Sequence, residues 1–193
     1  MRLTAENKEK IRVRILSGAA ALFREKGVDA VNLDQIMARA ELTRGAFYAH
    51  FPSKAALFAE VMRHEHPLLR MLRARSDTAP AALQAAMRTI FHNYLSPANL
   101  AEVHRGCSFA ALTGETARAE PAVRAGFEAA WQDVLTEMAR GQAQPAPARL
   151  RAALVLATGA VTAAAACDSD AARAAILTDA RLTVMELLGS AAP

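Results

Sequence analysis

Apolar residues recur at spacings of three and four along most of the chain, the period of an amphipathic α-helix. In the first such stretch Ile11, Ile15, Ala19, Leu22 and Phe23 form one stripe. That stripe predicts a helix over about residues 5–26, with Thr4 as its N-cap and Gly27 as its stop. Asn32 is a good cap for a second helix of two turns, in which Leu33, Ile36, Met37 and Ala40 point one way and which Glu41-Leu42 breaks. Thr43 can cap a third, very short helix over about 44–50; Phe51-Pro52-Ser53 ends it and caps the next. Helices of about seven residues do not stand alone, because isolated helices below ~12–15 residues are marginal in water. They must dock on their neighbours, with Phe47 and Phe51 as core anchors. Three helices with a tight turn between the second and third have the geometry of a helix-turn-helix.

The helical period continues to the end of the chain. One long helix is expected over 53–75, kinked at Pro67, and another from Thr78-Ala79-Pro80 to about Ser96-Pro97. A short helix over 99–103 follows, then one opened by Gly106 or Cys107 that reaches about residue 119. Pro121 suits the first turn of a helix to about 140, and Gly141 to Pro147 is the clearest loop. Two final helices span about 148–167 and 170–188. The expected fold is all-α with about nine helices: a helix-turn-helix domain over 1–52 and a helical bundle over 53–193.

Composition supports this reading. The 193 residues are 53% hydrophobic but only 5% aromatic, so alanine, the best helix former, supplies much of the bulk. The apolar run 152–167 is too short and alanine-rich for a membrane span, and no export signal opens the chain, so a cytoplasmic protein with no membrane partner is expected. Two cysteines make no disulfide framework and are read as thiols. Charge is unevenly placed: residues 1–54 hold ten Lys/Arg against six Asp/Glu, while the remainder holds thirteen of each. The whole surplus of four, and all four lysines, sit at the N-terminal end, which suits a module that meets a polyanion.

Residues 27–58, GVDAVNLDQIMARAELTRGAFYAHFPSKAALF, resemble the N-terminal domain of the TetR family of transcriptional repressors. The family pattern is a glycine, a capped short helix, a turn, and a run like T-R-G-A-F-Y-x-H-F-x-S-K-x-x-L, here from Thr43 to Leu57. Glu41 departs from it, standing where the family usually has glycine. Several residues can be read physically beside the resemblance. Asn32 and Thr43 at helix starts can meet phosphates as well as cap. Arg44 is the best candidate for a bidentate contact to guanine, and the small Gly45 and Ala46 let the helix approach the groove. Gln35 reaches toward a base or phosphate, and Lys54 suits a phosphate. By resemblance, Tyr48 and His50 contact the DNA backbone. One short recognition helix discriminates weakly, so a two-fold dimer on a palindromic double-stranded operator is expected. The resemblance implies a homodimer through the last two helices. There Leu150, Ala153, Leu154, Ala157, Ala160, Val161, Ala164 and Ala165 make a small-residue stripe, and Ile176, Leu177, Leu182, Met185 and Leu188 supply facing bulk. Part of each stripe must also be intramolecular core.

The resemblance further implies a small-molecule effector read in the helical body. Phe91, His92, Tyr94, Phe109 and Trp131 are candidate pocket walls, each equally readable as core. In HRGCSFAAL, Cys107 follows His104, Arg105 and Gly106 and precedes a helical pattern, so helix N–H groups and nearby positive charge would favour its thiolate. This motif is similar to that of electrophile-sensing members of the family, including an epoxide-responsive type. The other reading is a structural Cys107 beside a non-covalent hydrophobic effector. Cys167, followed by Asp168 and Asp170, is read as packing. No metal signature or cofactor is read; His64 and His66 in HEH point in different directions on a helix and are read as a solvated face. A helical enzyme using Cys107 with His104 or His92 would leave residues 43–57 and the charge asymmetry unexplained, and it lacks an orienting third residue. A structural nucleic-acid-binding protein would not need so large a body.

Overall fold

The computed structural model describes residues 5–64, 66–142 and 146–189, with the side chains of residues 103–105 outside that set. Thr4, expected as the first cap, also lies outside it. Among the described residues there are ten α-helices and no strand. They fall into two compact units, Met1–His66 with Leu112–Ala130, and Pro67–Ala111 with Trp131–Pro193.

The first unit is built on α1 (Ala5–Lys26), α2 (Leu33–Arg39), a 3-10 turn (Arg44–Ala49) and α3 (Lys54–His64). The apolar stripe of α1 buries Ile15, Leu16, Ala19, Ala20, Leu22 and Phe23 against α2 and α3. Phe23 meets Phe58 edge-on, with ring centroids 5.6 Å apart. Phe47 and Phe51 are buried, their rings 6.0 Å apart, and anchor the short elements as expected. Arg12 lies over Phe51 and pairs with Glu60 at 2.6 Å, tying α1 to α3. Gly126, in α8 (Pro121–Ala139), allows a close passage: a Cβ there would sit 2.7 Å from the Ala59 carbonyl oxygen of α3.

The long helix expected over 53–75 is two helices, α3 and α4 (Pro67–Arg73). Proline has no N–H to continue the ladder and its ring clashes with the carbonyl four residues earlier, so Pro67 starts a helix instead of kinking one. His66, read as solvated, is buried and its Nε2 bonds the Met62 carbonyl, whereas His64 is exposed beside Glu60.

The second unit comprises α4, α5 (Pro80–Tyr94), a 3-10 turn (Pro97–Asn99), α6 (Leu100–Gly106), the start of α7 (Ser108–Thr116), the end of α8, α9 (Pro147–Ala165) and α10 (Asp170–Leu187). The short helix expected over 99–103 thus runs on to Gly106. Buried Arg75 staples this unit, donating to the carbonyls of Leu72 at 2.8 Å, Leu83 at 3.0 Å and Glu137. Three helices, α4, α5 and α8, meet at this one guanidinium, whose fork of donors reaches a carbonyl on each. By length and composition α9 could cross a membrane. It packs against α10 and α6, with Leu150, Leu154 and Val161 buried.

Candidate nucleic-acid interface and effector cleft

The start of α2 is set by a capping box. The Asn32 side chain accepts the Gln35 N–H and the Gln35 side chain accepts the Asn32 N–H, each at 2.9 Å. Gln35, read as a base or phosphate contact, thus has its amide oxygen engaged in the cap. The recognition segment is a 3-10 turn rather than an α-helix, and Thr43 at its start makes no side-chain cap bond. The segment has only six residues, anchored by Phe47 within it and Phe51 just after it, and such short pieces are where 3-10 geometry occurs. Phe47 faces inward, while Thr43, Arg44, Gly45 and Tyr48 face out, Tyr48 being 62% exposed. Ala46 is half-buried, and a Cβ at Gly45 would meet no atom of the described residues within 4 Å. Ser53 caps α3 by accepting the Ala56 N–H at 3.0 Å, and half-buried Lys54 is the first helical residue.

Three interactions in this unit involve residues that the sequence did not single out. Arg44 donates from Nη1 to both carboxylate oxygens of Asp34, at 3.0 and 3.3 Å. Glu41 occupies the left-handed region, with φ of 55°, where a side chain is costly by about 1–2 kcal/mol. That conformation explains why glycine would suit the position. Arg14 of α1 braces the turn, bonding the Ala40 carbonyl and pairing with Glu41 at 3.1 Å. Glu115 near the end of α7 accepts the Val28 N–H at 2.6 Å, holding the turn between α1 and α2. Val28 and Glu115 are 87 residues apart and Asp34 and Arg44 ten apart, so no local pattern announces either contact.

His50 is half-buried at the end of the 3-10 turn, and its buried Nδ1 has no hydrogen-bond partner among the described residues. Burial first, then the charges of Lys8 and Arg12, pull its imidazole below the ordinary value of 6.5, against Glu9. This environment favours the neutral form of the ring.

In the second unit, Cys107 lies between α6 and α7 rather than inside either helix, and its carbonyl accepts the Ala111 N–H that opens α7. Its thiol is 3% exposed, and Sγ accepts a hydrogen bond from the Tyr94 hydroxyl at 3.0 Å. Burial first, then the sulfur beside it, push the Tyr94 phenol well above its ordinary range, so it stays a neutral donor. Both residues line an open cleft of about 340 Å³. α4 contributes Pro67, Leu68 and Met71 to its wall, and Asn93, Asn99, Glu102 and Gly106 complete it. The other predicted pocket residues are dispersed. Phe91 is fully buried beside Tyr94, with centroids 6.3 Å apart, and Phe109 is buried edge-on to Trp131 at 5.2 Å. His92 is exposed on α5, and the His104 side chain lies outside the described residues. Phe91, His92, Phe109 and Trp131 are not among the described residues that line the cleft. Cys167 is half-buried and donates to the Ala163 carbonyl at 3.4 Å. Among the described residues no group of three or more His, Cys, Asp or Glu side chains is placed to hold a metal ion.

The α9 stripe of Leu150, Ala153, Leu154, Ala157, Ala160, Val161 and Ala164 is buried within the chain. It packs on α10 and α6, so these side chains are intramolecular core. On α10, Leu177 and Leu188 are buried as well, and Ile176 and Met185 half-buried. The open face of the pair is a different one. Ala152, Val155, Gly159 and Ala163 of α9 and Leu182 of α10 are exposed, Val155 by 58% and Leu182 by 60%.

Comparison with known proteins agrees with this geometry. Residues 15–61 match the family described as bacterial regulatory proteins, tetR family. The Transposon Tn10 TetC protein of Escherichia coli is 34% identical over 92 residues, which cover 47% of this chain and 45% of that protein. The chain spans less than half the length of the curated relatives it matches first. Two solved structures share the fold over nearly the whole chain. Reduced NemR of E. coli superposes with a TM-score of 0.68 at 18% identity, covering 95% of this chain and 100% of that one. SmeT of Stenotrophomonas maltophilia in complex with triclosan does so with a TM-score of 0.63 at 23% identity, covering 93% and 90%.

Proposed function

We propose that the chain is a cytoplasmic transcriptional repressor of the tetR family, whose pattern residues 15–61 match, and that it binds a palindromic operator as a homodimer and is released by a small molecule. The observation that carries this reading is the two-sided 3-10 turn. Phe47 locks it into the core, while Arg44, Gly45 and Tyr48 are presented outward, with no atom of the described residues within 4 Å of a Gly45 Cβ. Asn32, Gln35, Thr43, Ala46, His50 and Lys54 complete the DNA-facing set. The exposed apolar face of Ala152, Val155, Gly159, Ala163 and Leu182 suits close contact with the same face of a second copy. The test is binding of duplexes selected from a randomised library, measured by fluorescence anisotropy against salt. Arg44→Ala should erase the base preference at the position it reads, weaken operator binding and leave the fold intact; unchanged selectivity would sink the assignment.

The effector site of this reading is the cleft at Tyr94 and Cys107. SmeT is solved with triclosan, which supports a small-molecule ligand for a chain of the same fold. In the covalent form of the proposal an electrophile such as an epoxide reacts at Cys107. The sulfur forms an S–C bond, the ring C–O bond breaks, and the alkoxide takes up the proton that the thiol gave. A hydrogen bond donated by Tyr94 stabilises negative charge on the sulfur, which supports this form. Burial of the thiol favours the second reading, an apolar ligand held without a bond beside a structural cysteine. Intact-mass measurement after epoxide and maleimide treatment separates them: a single adduct, lost in Cys107→Ser together with release from DNA, supports the first.

A further inference from the structure

The Arg44–Asp34 pair points to a role for a residue that the DNA-facing set does not contain. We propose that Asp34 is a specificity-determining residue, whose carboxylate holds the Arg44 guanidinium so that its remaining donors read guanine. The inference rests on the reading of Arg44 as a base contact.

Asp34 stands in the first turn of α2, and the Asn32–Gln35 capping box fixes that turn. Both Asp34 oxygens engage a single nitrogen of Arg44, Nη1, at 3.0 and 3.3 Å. Nη2 and Nε are left as the adjacent pair of donors that a bidentate contact to guanine O6 and N7 needs. Arginine is a long side chain that samples many rotamers when exposed, and the pair restricts it. The charge logic leads the same way. A lone carboxylate beside phosphates repels DNA, whereas paired with Arg44 it is neutralised. The neutralised Arg44 then adds little to sequence-independent attraction and keeps its directional hydrogen bonds. Asp34 therefore trades affinity for discrimination.

The test uses the full chain and duplexes that the wild type selects from a randomised library. Arg44→Ala identifies the guanine that Arg44 reads, as the position whose preference it erases. Asp34→Ala and Asp34→Asn are then compared on the selected duplex and on one changed at that guanine. Both side chains are exposed, and circular dichroism confirms that the variants fold. Asp34→Ala should lose about fivefold to tenfold of the discrimination at that position, while its affinity for an unrelated duplex rises and becomes more salt-sensitive. Asp34→Asn, which keeps an acceptor, should retain part of the discrimination. Unchanged or sharper discrimination in Asp34→Ala would overturn the proposal, since the carboxylate would then be idle or a competitor for the guanidinium. Lost preference at a cytosine instead of the guanine would also overturn it, by making Asp34 a base reader itself. If Arg44→Ala erases no preference, the underlying reading of Arg44 fails and the role of Asp34 falls with it.

Discussion

The carboxylate of Glu115 accepts the backbone N–H of Val28 at 2.6 Å, so a side chain from α7 holds the turn that leads from α1 into α2. Gly27, immediately before it, adopts φ of 81°, and a Cβ there would stand 3.1 Å from Glu115 Oε1. The contact sets the entry to the capping box and hence the placement of α2. Glu115→Ala should destabilise the protein by about 1–2 kcal/mol, because a hydrogen bond to a charged group is lost and a half-buried N–H is left unpaired. Thermal unfolding should fall by roughly 2–8 °C. Glu115→Gln keeps an acceptor and should recover most of that loss. DNA affinity should follow the same order, and equal loss in both variants would contradict the role given to this bond.

Glu41 is the non-glycine residue with positive φ among the described residues, and its side chain pairs with Arg14 while exposed. Glycine relieves about 1–2 kcal/mol of left-handed strain, against an exposed pair worth roughly 0–1 kcal/mol and the added chain entropy of glycine. Glu41→Gly should therefore be near neutral to stabilising by about 1 kcal/mol. The readout is the urea midpoint at unchanged m-value. Loss of the acid should also raise affinity for unrelated DNA. A large destabilisation would mean that the Arg14–Glu41 pair holds the turn more strongly than exposed pairs do.

His50 gives a pH dependence of definite sign. Its folded pKa lies below 6.5, so in acid the unfolded chain binds more protons than the folded one. This contribution to stability is complete above pH 6.5 and is lost as pH falls below it. His50→Asn should flatten that part of the stability–pH curve. DNA binding should show the opposite trend, since a phosphate beside His50 favours the imidazolium. Affinity should rise as pH is lowered through that range while the protein remains folded, and the mutant should lose this rise.

Val155 is exposed in a row of small residues on α9, and no atom of the described residues lies within 4 Å of where a Gly159 Cβ would be. Val155→Glu places a charge in the proposed interface without touching the intramolecular core. Sedimentation should show a monomer with unchanged helical content, and operator affinity should fall by at least about tenfold, as expected when one of two recognition turns is lost. A variant that stays dimeric would place the interface elsewhere.

The sequence by itself determined the helical class, the caps at Asn32 and Ser53, the core roles of Phe47 and Phe51, and the stretch that presents Arg44 and Tyr48. Those features depend on residues a few positions apart, where period, cap chemistry and glycine placement act directly. Tertiary structure decided the rest. It separated His66, buried, from His64, exposed, and ended α3 before Pro67. The α9 stripe became intramolecular core, and Val155, Gly159 and Leu182 were left as the open face. Cys107 was joined to Tyr94, while Phe109 and Trp131 were kept out of the cleft lining. Arg44 met Asp34, and Glu115 met Val28. The physical reason is common to all of these. A helix with apolar residues on more than one side can bury any of them, and only packing selects which. A polar contact between distant positions likewise leaves no period in the sequence to read.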